Sequence, residues 1–134
     1  MKRINDKISE IEHYLNEFSE FLPNDFEDYK KNIVLKAACE RYVEKIVESI
    51  TDLAFLLIKF KHLKLPEDDI NAFRILYENK IINEKLYSNL KNAKGMRNIL
   101  VHQYGLVDDE IIFNSFNQLI DDSNDFIQLI PKLI

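Results

Sequence analysis

The chain has 134 residues, 46% of them hydrophobic and 31% charged, with a net charge of −5. This is enough apolar material for one folded domain over residues 1–134, and the acidic balance counts against broad, nonspecific nucleic-acid binding without excluding a local basic groove. The single cysteine, Cys39, excludes an internal disulfide and a disulfide-stapled secreted domain. It lies in a helical stretch and reads as a small packed residue rather than a nucleophile.

The first residues, Met1-Lys2-Arg3-Ile4-Asn5-Asp6, lack an apolar signal core. The longest apolar run, residues 53–58, is far too short to span a bilayer. A cytoplasmic protein with no membrane contact is expected. Two Gly, three Pro and no Trp in a Leu/Ile/Lys/Glu-rich chain point to helices. The spacing predicts a first helix over residues 4–21, with Ile4, Ile8, Ile11, Leu15 and Phe18 on one stripe, ended by Pro23-Asn24-Asp25. A long second helix is predicted over 26–61. Ile33, Ala37, Tyr42, Ile46, Ile50, Leu53 and Leu57 form its apolar face. Such length calls for a bend or an oligomer seam.

Pro66 marks the start of a third helix, over 67–78. Asn83 caps a fourth, which carries Leu86, Leu90, Ala93, Met96 and Leu100 and stops near Tyr104, ahead of Gly105. Asp108 caps a last helix whose inward positions include Ile112, Phe116, Leu119, Phe126 and Ile130. Five helices with short connections make an all-α antiparallel bundle.

The end of the fourth helix holds the densest chemistry, Arg97-Asn98-Ile99-Leu100-Val101-His102-Gln103-Tyr104. Arginine binds phosphate bidentately, and histidine moves protons near neutral pH. On a regular helix Arg97 and Tyr104 share a face, Asn98 and His102 share a second, and Arg97 stands roughly 140° from His102. Long side chains, a loosened last turn, or a second copy of the helix from a partner subunit would each bring the pair to one phosphate. The negative end of the helix favours a protonated imidazole. His102 then suits taking the 2′-hydroxyl proton of RNA or protonating the leaving 5′-oxygen, with Arg97 holding the scissile phosphate. No metal or other cofactor is needed on this route. The same residues also suit an ordinary helix end, with Arg and His as caps and solvated charges and Asn98 satisfying a local backbone group.

Several other groups are candidates for supporting roles. Glu48 and Asp52 share a face of the second helix and can orient Arg97 or His102 from behind, although carboxylates on a long helix are commonly just solvated. Lys91, Lys94 and Arg97 recur every three residues and offer phosphate contacts next to the motif. Lys59, Lys61, His62 and Lys64 read as a solvated helix end, Arg41 as a surface residue, and His13 and His62 as structural. Apart from Tyr104, the tyrosines read as half-buried packing.

The run from Gly95 to Tyr104 closely resembles the R-x-x-x-x-H-x-Y signature of HepT-like toxins, members of the HEPN superfamily of all-helical ribonucleases. Upstream, Glu40-Arg41-Tyr42-Val43 leading to Asp52 looks like that family's second helix. Leu65-Pro66 followed by Ala72-Phe73 and Leu76 looks like the segment before its motif helix. The resemblance covers residues 38–126, with Met96 standing where the family often has an aromatic. It implies a homodimer whose two motifs face one cleft, and metal-independent endoribonuclease activity. It also implies a cognate antitoxin, a minimal nucleotidyltransferase of the MNT family that transfers AMP from ATP to the motif tyrosine, within a larger hetero-oligomer in some assemblies. Carried onto this chain, Arg97 and His102 are catalytic, Asn98 and Asp52 supporting, and Tyr104 the modified residue. The alternatives are a non-catalytic helical module that serves a nucleotidyltransferase, and an unrelated structural bundle.

Overall fold

The computed structural model describes every residue except Tyr104 and Leu106. Among the described residues there are seven α-helices, a terminal 3-10 turn at Ile130–Lys132 and no strand. The helices are α1 (Lys2–Phe21), α2 (Phe26–Lys31), α3 (Ile33–Phe60), α4 (Asp69–Glu78), α5 (Glu84–His102), α6 (Asp109–Asn114) and α7 (Phe116–Leu129). None is long and apolar enough to cross a membrane.

The all-α expectation holds, but two helices predicted as continuous are each broken by one polar residue. Asn32 leaves the helical region (φ −101°, ψ 99°), and its side chain accepts the Leu35 amide at 3.0 Å, so it ends α2 and caps α3. Ser115 donates its hydroxyl to the Ile112 carbonyl at 2.6 Å and separates α6 from α7. The bend expected in the second helix therefore sits at Asn32. Asp68, not the residue after Pro66, caps α4, accepting the Asn71 amide at 2.7 Å. Leu22, held extended (ψ 126°) by the following Pro23, stops α1 where predicted.

α3 is the central element and packs against α1, α2, α4, α5 and α7. Its apolar face starts later than the spacing predicts. Ile33 and Val34 are 81% and 80% exposed, and the face begins at Cys39 and Val43. The reason is that the first turn of α3 is flanked by short α2 and α6 rather than by a full-length neighbour. The stripe of α1 is as predicted, with Ile4, Ile11, Leu15 and Phe18 buried. One buried apolar cluster draws on all seven helices. Its aromatic part joins Phe18 to Phe116 edge-on at 5.3 Å and Phe116 to Tyr29 at 5.4 Å.

α3 ends in a Schellman-like turn. His62 adopts a left-handed conformation (φ 57°), and the Leu63 amide reaches back to the Ile58 carbonyl at 3.0 Å. His62 is thus structural, as read. α5 starts at the predicted cap, with Asn83 accepting the Leu86 amide at 2.8 Å. It is anchored mid-length by α4, because Lys94 reaches Asp69 at 2.6 Å with only 10% of its side chain exposed.

Candidate functional site

α5 places the motif at its free C-terminal end. Leu86, Leu90 and Leu100 anchor one side of the helix in the core. The turn after Leu100 runs clear of it, leaving Val101, His102 and Gln103 exposed. Gln103 closes the helix through its backbone amide to Ile99 at 2.9 Å. Tyr104, read as the modified residue, lies outside the described residues.

Arg97 and Asn98 are half-buried and adjacent, with Arg97 Nη1 at 3.4 Å from Asn98 Oδ1, a long contact for a hydrogen bond. Arg97 Nε is fully buried with no hydrogen-bond partner among the described residues. No carboxylate among the described residues comes within ion-pair distance of Arg97. A half-buried guanidinium in this condition carries a desolvation cost that an anion would offset. The structure brings Arg97 and Asn98 together, while on a regular helix Arg97 and His102 stand roughly 140° apart.

The supporting candidates lie elsewhere. Asp52 accepts from Lys7 of α1 at 3.3 Å and is 55% exposed, while Glu48 is exposed. Among the described residues neither contacts the motif within the chain. The Lys91/Lys94/Arg97 series is not a single basic stripe, because burial of Lys94 against Asp69 removes its middle member. Arg41 pairs on the surface with Glu44 at 3.2 Å, and His13 lies 3.4 Å from Glu17. Burial pushes the Cys39 thiol up to about 11, which keeps it protonated and inert. Among the described residues no three of His, Cys, Asp and Glu assemble as metal ligands.

A second cluster was not legible in the sequence. Tyr77 of α4 and Tyr87 of α5 stack in parallel, centroids 5.2 Å apart at 2°, and both are half-buried. Lys91 Nζ lies 5.7 Å from the Tyr87 ring centre, and the exposed Arg74 is close enough to Tyr87 for the two to interact electrostatically. The only sequence signal was the excess of aromatic and basic residues between 74 and 91. Their meeting depends on α4 lying antiparallel to α5.

The sequence profile of the Ribonuclease HepT-like family matches residues 11–130. The mRNA nuclease HepT of Shewanella oneidensis strain MR-1 is 26% identical over 106 residues, 79% of this chain and 80% of that protein. A relative from Archaeoglobus fulgidus is 34% identical over 66% of each chain. Among solved structures, the tri-AMPylated Shewanella oneidensis HEPN toxin in complex with MNT antitoxin superimposes with a TM-score of 0.88 at 25% identity, covering 96% of each chain.

Proposed function

The chain belongs to the Ribonuclease HepT-like family, and from that premise we propose that it is the toxin of a toxin–antitoxin pair, an endoribonuclease acting on RNA in the cytoplasm. The observation that supports this most directly is the state of Arg97. It is half-buried, among the described residues its Nε has no partner and no carboxylate neutralises it, and it stands one turn and a half from an exposed histidine. Such a guanidinium is preorganised for a phosphodiester.

In the proposed reaction Arg97 holds the non-bridging oxygens of the scissile phosphate, and Asn98 orients its guanidinium. One His102 takes the proton of the 2′-hydroxyl, whose oxygen attacks phosphorus. The bond from phosphorus to the 5′-oxygen breaks, and a protonated His102 supplies the proton that the leaving oxygen needs. A homodimer with both α5 C-termini in one cleft closes the angular gap between arginine and histidine, and the imidazole that took the 2′-hydroxyl proton can deliver it to the leaving oxygen. The proposed off-switch is AMP transfer from ATP to Tyr104 by a cognate MNT-family nucleotidyltransferase. An adenylyl group there adds bulk and negative charge to the motif and competes with RNA for Arg97.

The test is expression without the antitoxin. The parent arrests growth and cleaves RNA, whereas Arg97→Ala and His102→Ala do neither while remaining dimeric. Alanine variants as toxic as the parent would sink the catalytic assignment. Incubation with the partner nucleotidyltransferase and ATP, followed by peptide mass spectrometry, should find AMP on the Tyr104 peptide. An unmodified Tyr104 beside an active partner refutes the off-switch.

A further inference from the structure

An acidic enzyme acting on RNA must gather its positive charge in one place. Residues 74–97 contain six Lys or Arg against two Glu, a net +4 in a chain whose total is −5. The remainder of the molecule therefore carries a net −9, and α5 with the C-terminal half of α4 offers RNA a net positive segment. Lys94 is spent on Asp69, and Arg97 belongs to the motif. Of the remaining four, Arg74 and Lys91 meet at the Tyr77–Tyr87 stack. Both are exposed, and among the described residues neither has a carboxylate within ion-pair distance. The nearest carboxylates acting on Arg74 are those of Glu78 and Asp68.

The cations beside the stack also lie on the way to the motif. Arg74 and Lys91 line a groove of about 810 Å³ that continues past Asn92 and Met96 to Ile99; the two rings lie outside its lining, which also includes Asp108 and Asp122. Ile99 lies within one turn of His102. From Tyr87 to His102 the path is about 22 Å of helix axis, room for several nucleotides. Paired rings with cations beside them are the usual means of holding single-stranded nucleic acid. Bases stack on the aromatic faces regardless of sequence, and cations meet the backbone. A duplex offers no free base faces and gains nothing from the rings.

We propose that Tyr77 and Tyr87, flanked by Arg74 and Lys91, form a platform for an unpaired segment of the RNA substrate, remote from the scissile bond, and so direct the enzyme to single-stranded regions. This rests on the ribonuclease reading above.

The experiment measures anisotropy of a labelled, unstructured 12-nucleotide RNA, free or annealed to its complement, with the full-length His102→Ala protein so that nothing is cleaved. Adding Arg74→Ala and Lys91→Ala should weaken single-strand binding about tenfold or more. It should also lower the slope of log affinity against log salt by about 1.4, the share of two phosphate contacts on a single strand. Tyr87→Leu should weaken single-strand binding about tenfold, and Tyr87→Phe, which keeps the ring, much less. Duplex binding should change far less than single-strand binding in each variant. Circular dichroism verifies folding, and the surface pair Arg74→Ala/Lys91→Ala keeps the test valid should Tyr87→Leu fail to fold. Unchanged single-strand affinity, equal losses on duplex, or a changed oligomeric state in velocity sedimentation each overturn the platform. Cleavage by the parent is scored separately. A parent that binds through these residues yet cuts no RNA refutes the ribonuclease reading alone, and a parent that cuts RNA while the variants bind normally refutes the platform alone.

Discussion

Arg97 and Lys94 lie three residues apart on one helix, yet burial gives them opposite roles. Lys94 has found Asp69 and holds α5 against α4, whereas Arg97 keeps a buried Nε without a partner among the described residues. Replacing Arg97 by Lys keeps the charge but loses the planar fork, so kcat/KM for RNA should fall by about 10- to 100-fold with the fold intact. A smaller effect than twofold would mean that charge alone suffices. Asp122 is the buried carboxylate of α7. Burial raises it above the ordinary carboxylate value, against the lowering effect of hydrogen bonds from Asn89 at 3.2 Å and Gln118 at 2.9 Å. The folded state therefore binds this proton more tightly than the unfolded chain. Stability from this group is present at low pH and is lost as pH rises from the unfolded value through the folded one. Asp122→Asn should raise Tm at about pH 7 and flatten the dependence of Tm on pH toward the carboxylate range. A steeper dependence in the variant would contradict the assigned direction. Cys39, with its thiol near 11, should resist iodoacetamide at neutral pH in the native protein and react once denatured. Native-state labelling at the denatured rate would show that the site opens.

At the scale of the element, caps decide more than periodicity does. Asn83, Asp68, Asp25 and Asp108 all cap helices through side-chain acceptors, and two of the five helix starts predicted, at Asn83 and Asp108, were visible for that reason. The breaks at Asn32 and Ser115 were not. Asparagine and serine are tolerated inside helices, and only competition with neighbouring packing turns them into stops. Asn83→Ala removes the acceptor at the start of the motif helix and should cost about 1 kcal/mol, a Tm loss of about 3–5 °C. A cleavage rate per folded molecule that falls in parallel would show that the cap also positions the distant C-terminus. An unchanged rate confines its role to stability.

For the whole molecule, the decisive expectation is a site shared between subunits. If Arg97 of one subunit serves His102 of its partner, co-expressed Arg97→Ala and His102→Ala chains regain activity in mixed dimers. Recovery should reach about a quarter of the parent in the co-expressed mixture, where half of the dimers are mixed, and about half in the purified mixed dimer, which has one intact site of two. Purification of the mixed species through two different tags, followed by RNA cleavage, checks this. No recovery places both residues of a site in one chain. The distribution of charge belongs to the same scale, since an overall −5 conceals a basic segment that only the pairing of α4 with α5 turns into a surface.

By itself the sequence determined the helical class, the caps at Asn83 and Asp108, the buried stripe of α1 and the motif from Arg97 to Tyr104. These follow from local rules: side-chain period, hydrogen-bonding reach within one turn, and a spacing of reactive residues short enough to be read along the chain. Only the tertiary structure decided that Asn32 and Ser115 break helices and that Ile33 stands outside the core. It alone showed Asp52 facing Lys7, Lys94 buried in an ion pair, and Tyr77 meeting Tyr87. Each of these depends on which helix lies opposite, and contacts between residues distant in sequence leave no period for the chain to display.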